Sequence, residues 1–177
     1  MRLVFDTESD DLADTATVLH CIAVKDIDSQ KLYKFYGDVT VPGDHGSIEV
    51  GLNFLMSADE LIGHNIIWHD LPLIERLYER KYKGMVTDTL VMSRSLNPDR
   101  PFPLGCPGST VNPSTGETTR IGPHSIAAWG YRVGRFKPEF HDWKTFSLEM
   151  VHRCCEDTEI NYLVYVELLK EIAECNT

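Results

Sequence analysis

The spacing of apolar positions changes several times along the chain, and each change marks an element. Leu3-Val4-Phe5 is a short apolar run ending on Asp6, the form of a buried strand that reaches a polar rim. Residues 18–24 and 31–36 are two further β-rich runs, and Asp26-Ile27-Asp28-Ser29-Gln30 between them has the composition of a hairpin connection. Three antiparallel strands are therefore predicted at the start of the domain. Beyond Pro42-Gly43 and Gly46-Ser47 the period lengthens to that of a helix through Ile48, Leu52 and Leu55, and 61–65 then reads as a short strand with a polar end. Leu73, Ile74, Leu77 and Tyr78 predict a helix over 71–82, with Pro72 tolerated in its first turn.

The order so far is βββαβα. Residues 86–89 predict a last strand, 90–96 and 126–131 two helices, and Ser147 an N-cap for a stretch whose long second part carries Ile160, Leu163, Val164, Leu168 and Ile172. Between them, 97–122 is rich in proline and glycine without an apolar period, so an exposed loop is expected, with a turn at Ser114-Thr115-Gly116. The alternation predicts an α/β fold with a mixed β-sheet flanked by helices.

Composition narrows the class. With 177 residues, 42% of them hydrophobic, the expectation is a single domain over 1–177. The net charge of -10 argues against holding a polyanion by long-range attraction, so nucleic acid would have to be held locally. Five cysteines without a C-x-x-C pair signal neither a disulfide framework nor a zinc knuckle and suggest a reducing, cytoplasmic compartment. No run approaches a membrane span and the N-terminus does not read as a signal peptide, so no membrane partner is expected.

The chemistry is carried by carboxylates. Asp6 and Glu8 form D-x-E at the end of the first strand, where residues two apart share a face; such crowding raises both pKa values unless a cation offsets it. Taken alone the pair could be a solvated strand end. Asp70 closes Gly63-His64-Asn65-Ile66-Ile67-Trp68-His69-Asp70 near a helix N-terminus, where it could equally be a cap. Asp157 follows His152-Arg153-Cys154-Cys155-Glu156 at the start of the final helix, a run that could be a solvated face. Asp88 reads as a cap for the helix after it. Trp68, Trp129 and Tyr131 could stack on bases, although Trp129 and Tyr131 read more naturally as core.

In combination these stretches, with Asp88-Thr89-Leu90-Val91-Met92-Ser93-Arg94 and 122–132, which contains Ala128-Trp129-Gly130-Tyr131, resemble the ribonuclease H-like DEDD exonucleases. The likeness is specifically to the proofreading domain of family A DNA polymerases from small tailed phages, and it runs from residue 2 to about residue 170. It implies a ribonuclease H-like fold and 3′→5′ hydrolysis of DNA ends. It also implies two Mg²⁺ or Mn²⁺ ions on Asp6, Glu8, Asp70 and Asp157, with Asn65 and the backbone of Thr7 against the terminal nucleotide. The partners it implies are a single-stranded or frayed DNA 3′ end and a DNA polymerase domain or subunit, in the host cytoplasm if the chain is phage-encoded. A 3′→5′ exoribonuclease on the same fold and an inactive polymerase-docking domain are the alternatives.

In one place the pattern departs from that family. The phage polymerase domains carry Tyr four residues before the final Asp, whereas here that position is Arg153, which stays protonated. His152 gives H-x-x-x-x-D instead, the spacing of the superfamily's histidine branch, and is the expected general base. Residues five apart on one helix diverge by about 140°, so this assignment requires a helix break near 151–153.

Overall fold

In the computed structural model, which describes residues 1–37, 45–112 and 115–175, strand β1 (Arg2–Ser9) lies between antiparallel β2 (Leu19–Asp26) and parallel β4 (Glu60–Gly63). β3 (Leu32–Tyr36) pairs antiparallel with β2 at one edge. β5 (Met85–Asp88) pairs parallel with β4 at the other, giving the order β3-β2-β1-β4-β5. The sheet is mixed because the irregular segment 10–18 and the turn after β2 return the chain directly alongside, whereas β4 is reached through a crossover containing α1 (Ile48–Met56).

Strand alternation then sorts the side chains. Leu3 and Phe5, with Ile22 and Val24, pack on one face in a cluster that includes Leu52 and Leu55 of α1 and Leu73 and Ile74 of α2 (Asp70–Tyr78). Val4, Cys21 and Ala23 face the other side, which α5 (Leu148–Cys175) covers with Met150, Cys154, Cys155 and Tyr165. α3 (Thr89–Leu96) and α4 (Ile126–Val133) pack beside α5, where Trp129 joins Ile160, Val164 and Leu168. Asp6 and Glu8 continue the Val4 face toward α5, and Thr7 the Phe5 face toward α2.

Polar residues at the helix starts satisfy free backbone donors, as their positions in the sequence predict. Ser125 Oγ accepts from the Ala128 amide at 3.2 Å, and Ser147 Oγ from that of Met150 at 3.1 Å. At the other end of α4 the chain turns back closely: a Cβ on Gly130 would lie 2.6 Å from the Arg135 carbonyl oxygen, so only glycine fits.

The boundaries differ from the sequence reading in physical detail. α2 stops at Tyr78 rather than continuing to residue 82, because Glu79 turns left-handed (φ 54°) and Arg80 reaches back to Glu49 and Asn53 of α1. β4 ends at Gly63, so His64 and Asn65 lie in the turn beyond it. The expected loop over 97–122 contains an antiparallel hairpin, β6 (Ser109–Val111) with β7 (Thr118–Arg120). Both strands are wholly exposed, so no apolar period could announce them. Ser114 of the expected turn and the Pro42-Gly43 pair lie outside the described residues. Among the described residues, no helix is long and apolar enough to cross a membrane.

Candidate active site

The carboxylates meet at the end of β1. Asp6 pairs with Ala23 and Glu8 with Cys21, on the sheet face under α5, and α5 brings Asp157 to them from above. Each of the three offers an oxygen within 4.8 Å of the others. Asp70, the first residue of α2 and only 3% exposed, lines the same cavity of about 480 Å³. Its Oδ1 accepts from the Thr7 amide at 3.1 Å and the Thr7 hydroxyl at 2.6 Å, and His69 Nδ1 lies 3.7 Å from Oδ2. The helix start further favours its negative charge.

Crowding and burial have the electrostatic consequence expected of D-x-E. Burial, with the Glu8 charge next, pushes the Asp6 carboxyl well above the ordinary range. Burial lifts Glu8 to about 7, against the opposing pull of Lys137. One oxygen of Asp157, Oδ1, is buried with no hydrogen-bond partner among the described residues. An orphaned carboxylate oxygen beside two crowded acids fits a hard divalent cation, whose charge would offset the repulsion and whose coordination would satisfy the free oxygen.

The turn between β4 and α2 is fixed from below by Asp88. Its Oδ1 accepts from the amides of Asn65 (3.0 Å) and Leu90 (2.9 Å), and Oδ2 from Ile67 (3.1 Å). Asp88 thus caps α3 and at the same time holds Asn65 in a left-handed conformation (φ 68°) on the cavity wall. Thr7 also lines the cavity, with its amide and hydroxyl both donating to Asp70. His64 Nδ1 lies 2.9 Å from Thr89 Oγ1; burial, assisted by Lys137, pushes this imidazole down to about 3 and keeps it neutral.

The expected helix break near 151–153 is absent, and with it the case for His152. α5 is continuous from Leu148 to Cys175, and His152 is exposed on it. Helical phase instead directs Arg153 at the site, with Nε 3.4 Å from Glu8 and 4.0 Å from Asp157. His152 is therefore not positioned as the general base expected from the sequence. Trp129 is buried with Nε1 donating to Ser93 Oγ, as a core residue, while Trp68 is 77% exposed beside the turn.

Sequence reasoning missed Lys137, whose ammonium pairs with Asp157 and lines the cavity. It comes from the irregular segment 134–147, where neither period nor motif marks it. Arg94 and His124 also line the cavity and were not singled out.

A mixed five-stranded sheet flanked by helices, with an acidic cluster at the end of its central strand, is the architecture of the ribonuclease H-like fold. Solved structures with that architecture match over nearly the whole chain. Brucella melitensis NrnC aligns with a TM-score of 0.63 at 13% identity, covering 99% of this chain and 75% of that one. Exonuclease X in complex with 5′-overhanging duplex DNA gives 0.55 at 15%, covering 96% and 92%. Escherichia coli RNase D, an exoribonuclease, gives 0.52 at 16%, covering 96% and 39%.

In sequence, the chain resembles the DNA-directed DNA polymerases of Enterobacteria phage T3 (26% identity) and Escherichia phage T7 (24%). Both alignments cover 96% of this chain but 27% of the polymerase, so the chain spans about a quarter of those relatives. No protein-family model matches it.

Proposed function

We propose that this chain is a 3′→5′ exonuclease that removes nucleotides from DNA 3′ ends, in the manner of a polymerase proofreading domain. The observation that carries the reading is the meeting of Asp6, Glu8 and Asp157 within 4.8 Å, with Asp70 locked by Thr7 on the same cavity wall. These four carboxylates would hold two Mg²⁺ or Mn²⁺ ions. Bound there, such a pair supplies Lewis-acid stabilisation of the attacking and leaving oxygens of an in-line displacement.

The chain's own residues do the rest. Asn65, on a turn pinned by Asp88, is placed to seat the terminal nucleotide, and Thr7 acts as the positioning residue of Asp70. Water adds to the terminal phosphorus, the bond from phosphorus to the penultimate 3′-oxygen breaks, and that oxygen takes up a proton. The products are a nucleoside 5′-monophosphate and a strand shortened by one. Arg153, held protonated, contributes positive charge rather than proton abstraction.

DNA is favoured as substrate because the matched relatives are DNA polymerases, and the same likeness favours a polymerase domain or subunit as partner. The test is release of label from a 3′-labelled single strand in Mg²⁺ and in EDTA, with a matched strand ending in one ribonucleotide. Metal-dependent release with preference for the deoxy terminus is expected. Preference for the ribose terminus would reassign the substrate to RNA.

A further inference from the structure

Two cations enter the carboxylate cluster, and they are held very differently. Arg153 is fixed. Its Nη1 donates to the Pro138 carbonyl at 2.6 Å, and its guanidinium lies 4.7 Å from the Trp143 ring centroid. Lys137 is fixed only at its backbone. The segment that carries it is tied down by Arg135 to Glu156 (2.8 Å), by the Pro138 carbonyl to Arg153, and by the Trp143 carbonyl to His20 Nε2 (3.1 Å). From that firm base a four-carbon stem carries the ammonium to Asp157, with 23% of the side chain exposed toward the cavity. A lysine in such a position is a compact charge on a flexible arm, able to change partner without moving the backbone.

Charge count decides what it should do. Without metal, Lys137 and Arg153 lie among four crowded carboxyl groups, and the Lys137 charge acts on Asp6 and Glu8 as well as Asp157. With two divalent ions in place the balance reverses. An ammonium left on Asp157 would then face like charge at contact distance, a repulsion that low-dielectric surroundings enlarge. The same surplus of positive charge suits what must arrive next, a phosphodiester and a hydroxide.

We propose that Lys137 is the resident counter-cation of this cluster, which holds Asp157 until a divalent ion binds and then contacts a non-bridging oxygen of the terminal phosphodiester as a catalytic residue. The second half rests on the exonuclease reading; the first does not.

The experiment uses the full chain with Lys137→Met, which keeps the stem without the charge, and Lys137→Arg. Mg²⁺ and Mn²⁺ binding is measured by calorimetry without nucleic acid, thermal unfolding is followed in EDTA, and turnover is measured on a 3′-labelled strand. Lys137→Met should bind the metal about tenfold more tightly, since its competitor is gone. It should unfold at a lower temperature in EDTA and regain the difference when Mg²⁺ is added. Its kcat should nevertheless fall by roughly 10²-fold, the effect of losing one charged group at a developing phosphoryl charge. Lys137→Arg should recover part of that turnover. Tighter metal binding with slower turnover is a combination that general loosening of the segment cannot produce.

Unchanged or weaker metal affinity in folded Lys137→Met would overturn the counter-cation role, and unchanged turnover would overturn the phosphate contact. If the wild-type protein released no nucleotide, the exonuclease reading would fail while the metal-binding comparison still stood as a test of the counter-cation.

Discussion

Replacing Asp88 with alanine tests whether the turn that presents Asn65 is held by one carboxylate. Asp88 is 4% exposed, and its two oxygens accept from the amides of Asn65, Ile67 and Leu90, with Val91 at a longer 3.4 Å. Alanine removes the cap of α3, which costs about 1 kcal/mol. It also leaves the amides of Asn65 and Ile67 without their acceptor, at about 1 kcal/mol or more each when water cannot reach them. The sum is about 3 kcal/mol, or a fall in Tm of roughly 6–12 °C for a chain of this size. Urea unfolding followed by circular dichroism in EDTA measures it, and Asp88→Asn, which keeps one acceptor oxygen, should fall between the two. Asp70 keeps its Thr7 bonds in the variant, so divalent-ion affinity should change little while KM for the strand rises. A loss below about 1 kcal/mol would refute the reasoning, because it would mean that the turn holds its shape without Asp88.

Other substitutions separate the roles of the remaining groups. His152→Ala should leave turnover within about twofold of wild type, since the residue is exposed on an unbroken helix, whereas Arg153→Ala should lose both stability and turnover; steady-state kinetics on a labelled strand distinguish them. Asp6→Asn should raise Tm in EDTA, because it removes an ionisable group that burial and the Glu8 charge hold away from its favoured ionised form, while calorimetry finds its Mg²⁺ affinity greatly reduced. His64 contributes an acid-sensitive increment. Its folded value of about 3 lies below the unfolded one, so its stabilising effect is complete above the unfolded value near 6.5 and is lost as pH falls toward 3. The stability difference between wild type and His64→Gln should therefore shift against the wild type by up to about 1.4 kcal/mol per pH unit below 6.5, and a difference constant between pH 7 and pH 5 would reject this.

Much of the arrangement was legible because strands and helices impose periods. Period two placed Asp6 and Glu8 on one face, and the antiparallel opening followed from three β-rich runs separated by turn residues. Helical phase also made the assignment of His152 conditional on a helix break near 151–153. The assignment of His152 required a break that Ser147 capping and the buried run Met150, Val151, Cys154, Cys155 do not allow. The H-x-x-x-x-D spacing falls on a continuous helix, where His152 is exposed. Lys137 was not legible because its position depends on tertiary ties, Arg135 to Glu156 and Arg153 to Pro138, between residues without a common period. The hairpin of β6 and β7 escaped for a related reason: exposed Ser, Thr and Arg positions carry no inward face to read.

The central claim is that Asp6, Glu8, Asp70 and Asp157 form one metal-dependent hydrolytic site acting at DNA 3′ ends. Its most direct test is a time course of a 3′-labelled single strand with wild type and Asp157→Asn, in Mg²⁺ and in EDTA, with both proteins shown folded by circular dichroism. The account predicts that only wild type in Mg²⁺ releases labelled 5′-mononucleotides, one at a time from the labelled end. Release by Asp157→Asn at the wild-type rate, release in EDTA, or an inert wild type in Mg²⁺ would contradict it.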